Sequence, residues 1–169
     1  EKNAANLHRL LGNAYSSMGM VDNAYEEYHL AIQFVKKIED KDTRHYLLAI
    51  SYQNLTDYFD RTGMHIDSII YYDTMGLKEA KLVSSQSRII SNDQMYGLII
   101  AMQYTVGLDY MIYRHPPEHS LAGKYFLAAL KLNEKRKRKI SREREINLYT
   151  SVSRFYLFEK TGRRFPASL

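Results

Sequence analysis

The segment His115-Pro116-Pro117-Glu118-His119 has the H-x-x-E-H spacing of inverted zinc proteases, in which two histidines hold a metal and the glutamate handles a proton. That chemistry needs both imidazoles on one face of an unbroken helix. Two prolines inside the motif remove amide donors and push the preceding residues out of the helical region, so the spacing reads instead as an inter-helix turn in which Pro117 opens the next helix. The remaining histidines, His8, His29, His45 and His65, are scattered singly along the chain. There is no nucleophile elbow, no phosphate-cradling glycine loop and no dinucleotide fingerprint, and cysteine is absent. The sequence therefore predicts no catalytic residue, no metal site and no cofactor, and points to a binding protein rather than an enzyme.

Charge offers a second kind of chemistry. Residues 1–123 carry 11 Lys and Arg against 15 Asp and Glu, whereas residues 124–169 carry 13 against 4. The surplus concentrates in 131–144, around Lys135-Arg136-Lys137-Arg138-Lys139, a patch suited to phosphate neutralisation. Its plainer reading is a solvated helix end, with Glu134, Glu143 and Glu145 as partners. Fifteen tyrosines could form a stacking platform, but Tyr15, Tyr28, Tyr52, Tyr72 and Tyr110 recur at spacings that bury aromatics between helices; Tyr104 and Tyr149 stay open.

These side chains must be positioned by helices. Apolar spacing such as Tyr25, Tyr28, Ile32 and Val35 is helical, and no segment alternates as a strand would. The pattern predicts helices near 4–18, 22–39, 43–62, 65–83, 92–113, 118–137 and 141–161, with a stub from 165. Asp22, Asp42, Asn92 and Ser141 are the expected N-caps, and Gly19 suits the left-handed position ending the first helix. Residues 84–92 form the least regular connection.

A repeat underlies the spacing. His8-x2-Leu11-Gly12-x2-Tyr15 is followed by Gly19, Ala24-x3-Tyr28 and Ala31; Tyr52, Leu55, Phe59, Gly63, Ser68 and Tyr72 follow the same order. A third copy shows Val106-Gly107-x2-Tyr110 and Ala122-x3-Phe126-x2-Ala129, and Phe158, Lys160, Thr161 and Gly162 begin a fourth. Small residues at Gly12, Ala24 and Ala31 allow two antiparallel helices to approach while the aromatics fill the space between them. The first copy resembles the tetratricopeptide signature, W-x2-L-G-x2-Y then A-x3-F, with His8 in the tryptophan place and no terminal proline. Gly19 and Gly63 lie 44 residues apart, longer than the usual repeat of about 34, as in elongated arrays of bacterial signalling and transcription regulators.

This resemblance implies an all-α fold: a right-handed superhelical stack of antiparallel helical hairpins, about seven helices in one domain over 1–169, with repeats near 4–39, 43–83 and 92–137 and a partial one at 141–169. It implies a scaffold or sensor that binds a protein or peptide along a concave face lined by the first helix of each pair. Since Leu11, Tyr15, Leu55 and Phe59 face the partner helix, Arg9, Asn13, Asn54 and Asp57 are expected to project into that groove. Members that clamp a terminal carboxylate use a basic residue and asparagines at places that Arg9, Asn13 and Asn54 match, but Ala101 and Thr105 stand where further basic residues belong. The alternative partner is nucleic acid, held by the basic segment 131–144.

No run of apolar residues is long enough to span a bilayer, so no membrane contact is expected. The start at Glu1 without a methionine suggests a piece of a longer regulator. A cytoplasmic setting is favoured, or a periplasmic one if a leader was removed. The unfinished last repeat predicts apolar surface around Phe155, Tyr156 and Phe158, which a homodimer through this end would cover.

Overall fold

The computed structural model describes residues 1–63, 66–114, 117–136 and 140–161. All regular structure among them is helical: α1 (Lys2–Ser17), α2 (Val21–Lys36), α3 (Lys41–Thr62), α4 (Ile66–Leu82), α5 (Asn92–Ile112), α6 (His119–Lys135) and α7 (Arg142–Thr161). None of these helices is long and apolar enough to cross a membrane. The chain divides into two compact units, 1–95 and 96–169, with the division falling inside α5.

In the first unit the helices run antiparallel to their neighbours, and the side-chain pairings show why. Between α1 and α2, His8 Nδ1 meets Glu27 Oε2 at 2.7 Å, and the Tyr28 hydroxyl donates to Asn13 Oδ1 at 2.8 Å. Gly12 is the close-approach point, for a Cβ there would lie 2.8 Å from the Tyr28 ring. Between α3 and α4, His45 Nδ1 meets Glu79 Oε2 at 2.6 Å. Deeper in that hairpin the Thr56 hydroxyl donates to Asp73 Oδ1 at 2.7 Å. Thr56 occupies the place in the second copy that Gly12 holds in the first, so a polar pair replaces a glycine under a ring. The two hairpins meet through Tyr58, which is 1% exposed, packs on Tyr25 and Tyr28, and donates to the Val21 carbonyl at 3.0 Å.

Helix ends follow local chemistry. Gly19, at φ 73°, ends α1 with a complete Schellman arrangement: Met20 N–H donates to the Tyr15 carbonyl and Gly19 N–H to that of Ser16. Gly63 ends α3 in the same left-handed conformation, at φ 65°. Three expected caps are corrected. Met20, not Asp22, precedes α2, and no side chain caps it. Asp40, not Asp42, caps α3, its Oδ1 accepting from Thr43 N at 2.7 Å, while Asp42 accepts from Ser84 N in the α4–α5 connection. Ser91, not Asn92, starts α5 through a reciprocal capping box with Gln94, each side chain accepting from the other's backbone N–H. Ser141 stands at the start of α7 as expected.

Asp40 gives a pH-dependent prediction. The Thr43 hydroxyl and then its backbone N–H hold the carboxyl below its ordinary value of 3.8. A depressed folded pKa favours the native state above the unfolded value, and that advantage disappears as pH falls through the folded one. Asp40→Ala should therefore melt below the parent at neutral pH and converge on it in strong acid; thermal melts between pH 7 and pH 2 check this, and a constant gap would contradict it.

In the second unit α5, α6 and α7 again alternate in direction. The core contains Ile100, Ala122, Phe126, Ala129, Leu148 and Val152. Phe126, fully buried, lies over Gly107, where a Cβ would come within 2.5 Å of the ring; Phe155 of α7 lies over Gly123 in the same manner. Asn133, 1% exposed, joins the end of α6 to α7 by donating to Glu145 Oε1 at 3.0 Å and accepting from Ile140 N at 3.2 Å. Pro117 precedes α6 by two residues instead of opening it, and Glu118 is the N-cap.

Candidate functional site

Because α1 and α3 both run antiparallel to α2, they point the same way and form the walls of a groove floored by α2. Two cavities lie along it. One, about 400 Å³, is lined by Asn13, Tyr28, Asn54, Asp57, Asp60 and Arg61. The other, about 350 Å³, lies towards the helix N-termini and includes Lys2, Asn6, Arg9, Val35, Leu47 and Ile50. Three of the four residues expected in the groove, Asn13, Asn54 and Asp57, thus share the first cavity. Arg9 lines the second, where its Nη2 donates to Asn6 Oδ1 at 2.7 Å.

The first cavity is polar and built from three helices. Asn13 is committed on one side, since its Oδ1 accepts the Tyr28 hydroxyl. Arg61 is drawn towards α1 by Ser16 Oγ and also reaches its own helix's Asp57 carbonyl. Neither contact uses the Asp57 carboxylate, which forms no hydrogen bond or ion pair with a described residue. Asp57 is exposed and opens into the cavity, with protein atoms standing close enough to displace part of its hydration. The lost water raises its pKa above 3.8; Arg61 opposes the shift and Asp60 adds to it. Asn54 is the most informative member: its Nδ2 is buried and has no hydrogen-bond partner. Leaving a shielded donor unmade costs about 1–3 kcal/mol, so the half-buried Asn54 side chain gains a bond if it turns its amide towards an acceptor in the cavity.

The second cavity differs in character. Val35, Leu47 and Ile50 give it an apolar wall, and Lys2 and Arg9 bring two cations with no carboxylate partner among the described residues.

Elsewhere the expected sites dissolve into packing or fall outside the described residues. Tyr28 and Tyr52 are buried, and Tyr15, Tyr72 and Tyr110 half-buried, as is Tyr104 against Phe126; Tyr149 is 45% exposed. Of the basic run, Lys135 is exposed at the end of α6 and Arg136 is half-buried beside Gly97, while Lys137, Arg138 and Lys139 lie outside the described residues. His115 and His65 lie outside them too, and the His119 ring packs against that of Phe158, tilted by 30° with centroids 4.0 Å apart. No group of three or more potential metal ligands occurs among the described residues. At the end of the last helix, Phe155 and Phe158 are half-buried against α6, whereas Ile146, Tyr149, Tyr156 and Leu157 are exposed. The echo at Gly162 and the stub from 165 fall outside the described residues.

Sequence reasoning missed Asp60 and Arg61, although their signal was present: each lies three or four residues beyond Asp57 on α3, within reach of the same face. Tyr58 was missed because it adjoins Phe59, which took the aromatic place of the repeat.

No protein-family model, curated protein or solved structure matches the chain.

Proposed function

We propose that the chain is a protein- or peptide-binding module of the tetratricopeptide type, acting through the α1–α3 groove and serving as the sensing or scaffold part of a regulatory protein. The observation that carries this reading is Asn54. Its side chain is half-buried beside an open cavity between parallel helices, its amide has no partner among the described residues, and a turn of that side chain would bring the amide to an extended peptide's backbone carbonyl. The repeat signature at His8–Ala31, the glycines under aromatic rings and the left-handed helix ends support the family resemblance.

The test is a selection from random twelve-residue peptides displayed on phage. Peptides recovered on the parent protein should compete with one another and bind Asn54→Ala about 5–30-fold more weakly, the equivalent of one good hydrogen bond. Because the Asn54 side chain forms no hydrogen bond with a described residue, the variant should melt close to the parent. The competing reading is nucleic-acid binding through Lys135–Lys139. It would prevail if no peptide is recovered while duplex DNA binds with a steep salt dependence that Lys135→Glu with Arg136→Glu abolishes.

A further inference from the structure

The two cavities of the groove carry opposite charge, and the helices that bear them fix their separation. On α1 the step from Asn6 to Asn13 is seven residues, and on α3 the step from Ile50 to Asp57 is also seven. At a helical rise of about 1.5 Å per residue, the cavities lie roughly 10 Å apart, the span of about three extended peptide residues. We infer that the groove takes an extended peptide segment with a lysine or arginine entering beside Asp57, and an apolar residue next to an acidic one about three positions away, between Lys2 and Arg9. This rests on the peptide-binding reading above and names the partner's chemistry.

Each part has its own warrant. Asp57 presents an exposed carboxylate to a cavity and forms no hydrogen bond or ion pair with a described residue, while the guanidinium of Arg61, which acts on it only at longer range, is engaged with Ser16 and a main-chain oxygen. An incoming cation would favour the ionised Asp57 carboxylate that the neighbouring protein atoms disfavour, and the Asn54 amide, turned towards the cavity, would take a backbone carbonyl of the same segment. At the other end Val35, Leu47 and Ile50 supply apolar surface, while Lys2 and Arg9 supply charge with no acidic lining residue to neutralise it. A peptide laid the wrong way round would set its base against Lys2 and Arg9 and its acid against Asp57 and Asp60. Charge order therefore selects direction as well as composition.

The charged groups facing Asp57 are Asp60 and Arg61 from α3 itself; α1 offers the neutral Asn13 and α2 the Tyr28 phenol. Binding a cation there would lower the raised pKa of Asp57, so affinity for such a peptide should rise with pH as Asp57 ionises, and fall in acid.

The experiment repeats the selection on the parent and on Asp57→Lys, with Asp57→Asn as a milder variant whose melting curve reports folding. Peptides from the parent should be enriched in a basic residue about three positions from an acidic one, in one order only. Against Asp57→Asn, such a peptide should lose about five- to tenfold in affinity, and its Lys→Ala counterpart should lose nothing. Asp57→Lys should select peptides in which the basic position has become acidic or neutral. Groove-binding peptides with no basic enrichment, or the same peptides from parent and Asp57→Lys, would overturn the inference and leave the peptide-binding reading standing. Recovery of no peptide at all would overturn both.

Discussion

Gly107→Ala is expected to destabilise the second unit by about 1–3 kcal/mol, even though alanine is the better helix former by about 1 kcal/mol. The two effects oppose each other, and geometry decides between them. A Cβ at position 107 would lie 2.5 Å from Phe126 Cε1 and 2.8 Å from Cδ1. Phe126 is fully buried, so its ring cannot swing into solvent, and relief requires α5 and α6 to separate around a packed core. Gly97, on the same helix, supplies the control: a Cβ there meets only Arg136 guanidinium nitrogens at 3.7 and 3.8 Å, an ordinary contact. Gly97→Ala should accordingly be neutral or stabilising. In the pair Gly107→Ala with Phe126→Leu, the smaller side chain should recover part of the loss, giving a coupling energy of about 1 kcal/mol or more. Chemical denaturation of the four proteins measures it. Simple additivity, or a Gly107→Ala variant as stable as the parent, would refute the close-packing account.

Thr56→Val should cost a comparable amount in the first unit, about 1.5–3 kcal/mol, because the hydroxyl it removes donates to a carboxylate in a site closed to water. Thr56 and Asp73 are each 2% exposed, and the Thr56 Oγ1 to Asp73 Oδ1 distance is 2.7 Å. Valine keeps the shape and takes away the donor, so the loss reports the hydrogen bond rather than a cavity. Thr56→Ser restores the donor at the cost of one methyl group and should recover most of the stability. If serine and valine are equally destabilising, packing of the methyl group is what matters and the hydrogen bond contributes little.

The helices themselves were legible because apolar spacing and glycine placement are local signals. Gly19 announced a left-handed helix end, Gly63 holds its place in the second copy, and the Gly107-to-Phe126 relation was visible as the third copy of the Gly12-to-Tyr28 pattern. Caps were harder to read. Asp40 and Asp42 are both sound cap residues, and the choice depends on Asp42 finding Ser84, 42 residues later in the chain. The groove was legible in part. Residues four apart share a helix face, yet Arg9 and Asn13 belong to different cavities because Asn6 engages the guanidinium and Tyr28 the asparagine. The Tyr28 contact also makes Asn13 a poor position for testing binding alone, and it moves that role to Asn54. The division of the chain near residue 95 has no mark in composition, since helical spacing continues on both sides of it.

A ring seated over a glycine acts on alignment as well as on distance. Were α2 to slip along α1 by one turn, about 5.4 Å, the Tyr28 ring would leave Gly12 for positions near His8 and Arg9 or near Tyr15 and Ser16, each of which carries a side chain. Only one axial setting of that hairpin admits the ring. Since α2 is also the floor on which α3 aligns through Tyr58, the same constraint reaches the opposite wall of the groove. The groove then behaves as a ruler with fixed graduations, and a ligand whose charges are spaced too closely or too widely must distort itself to be read.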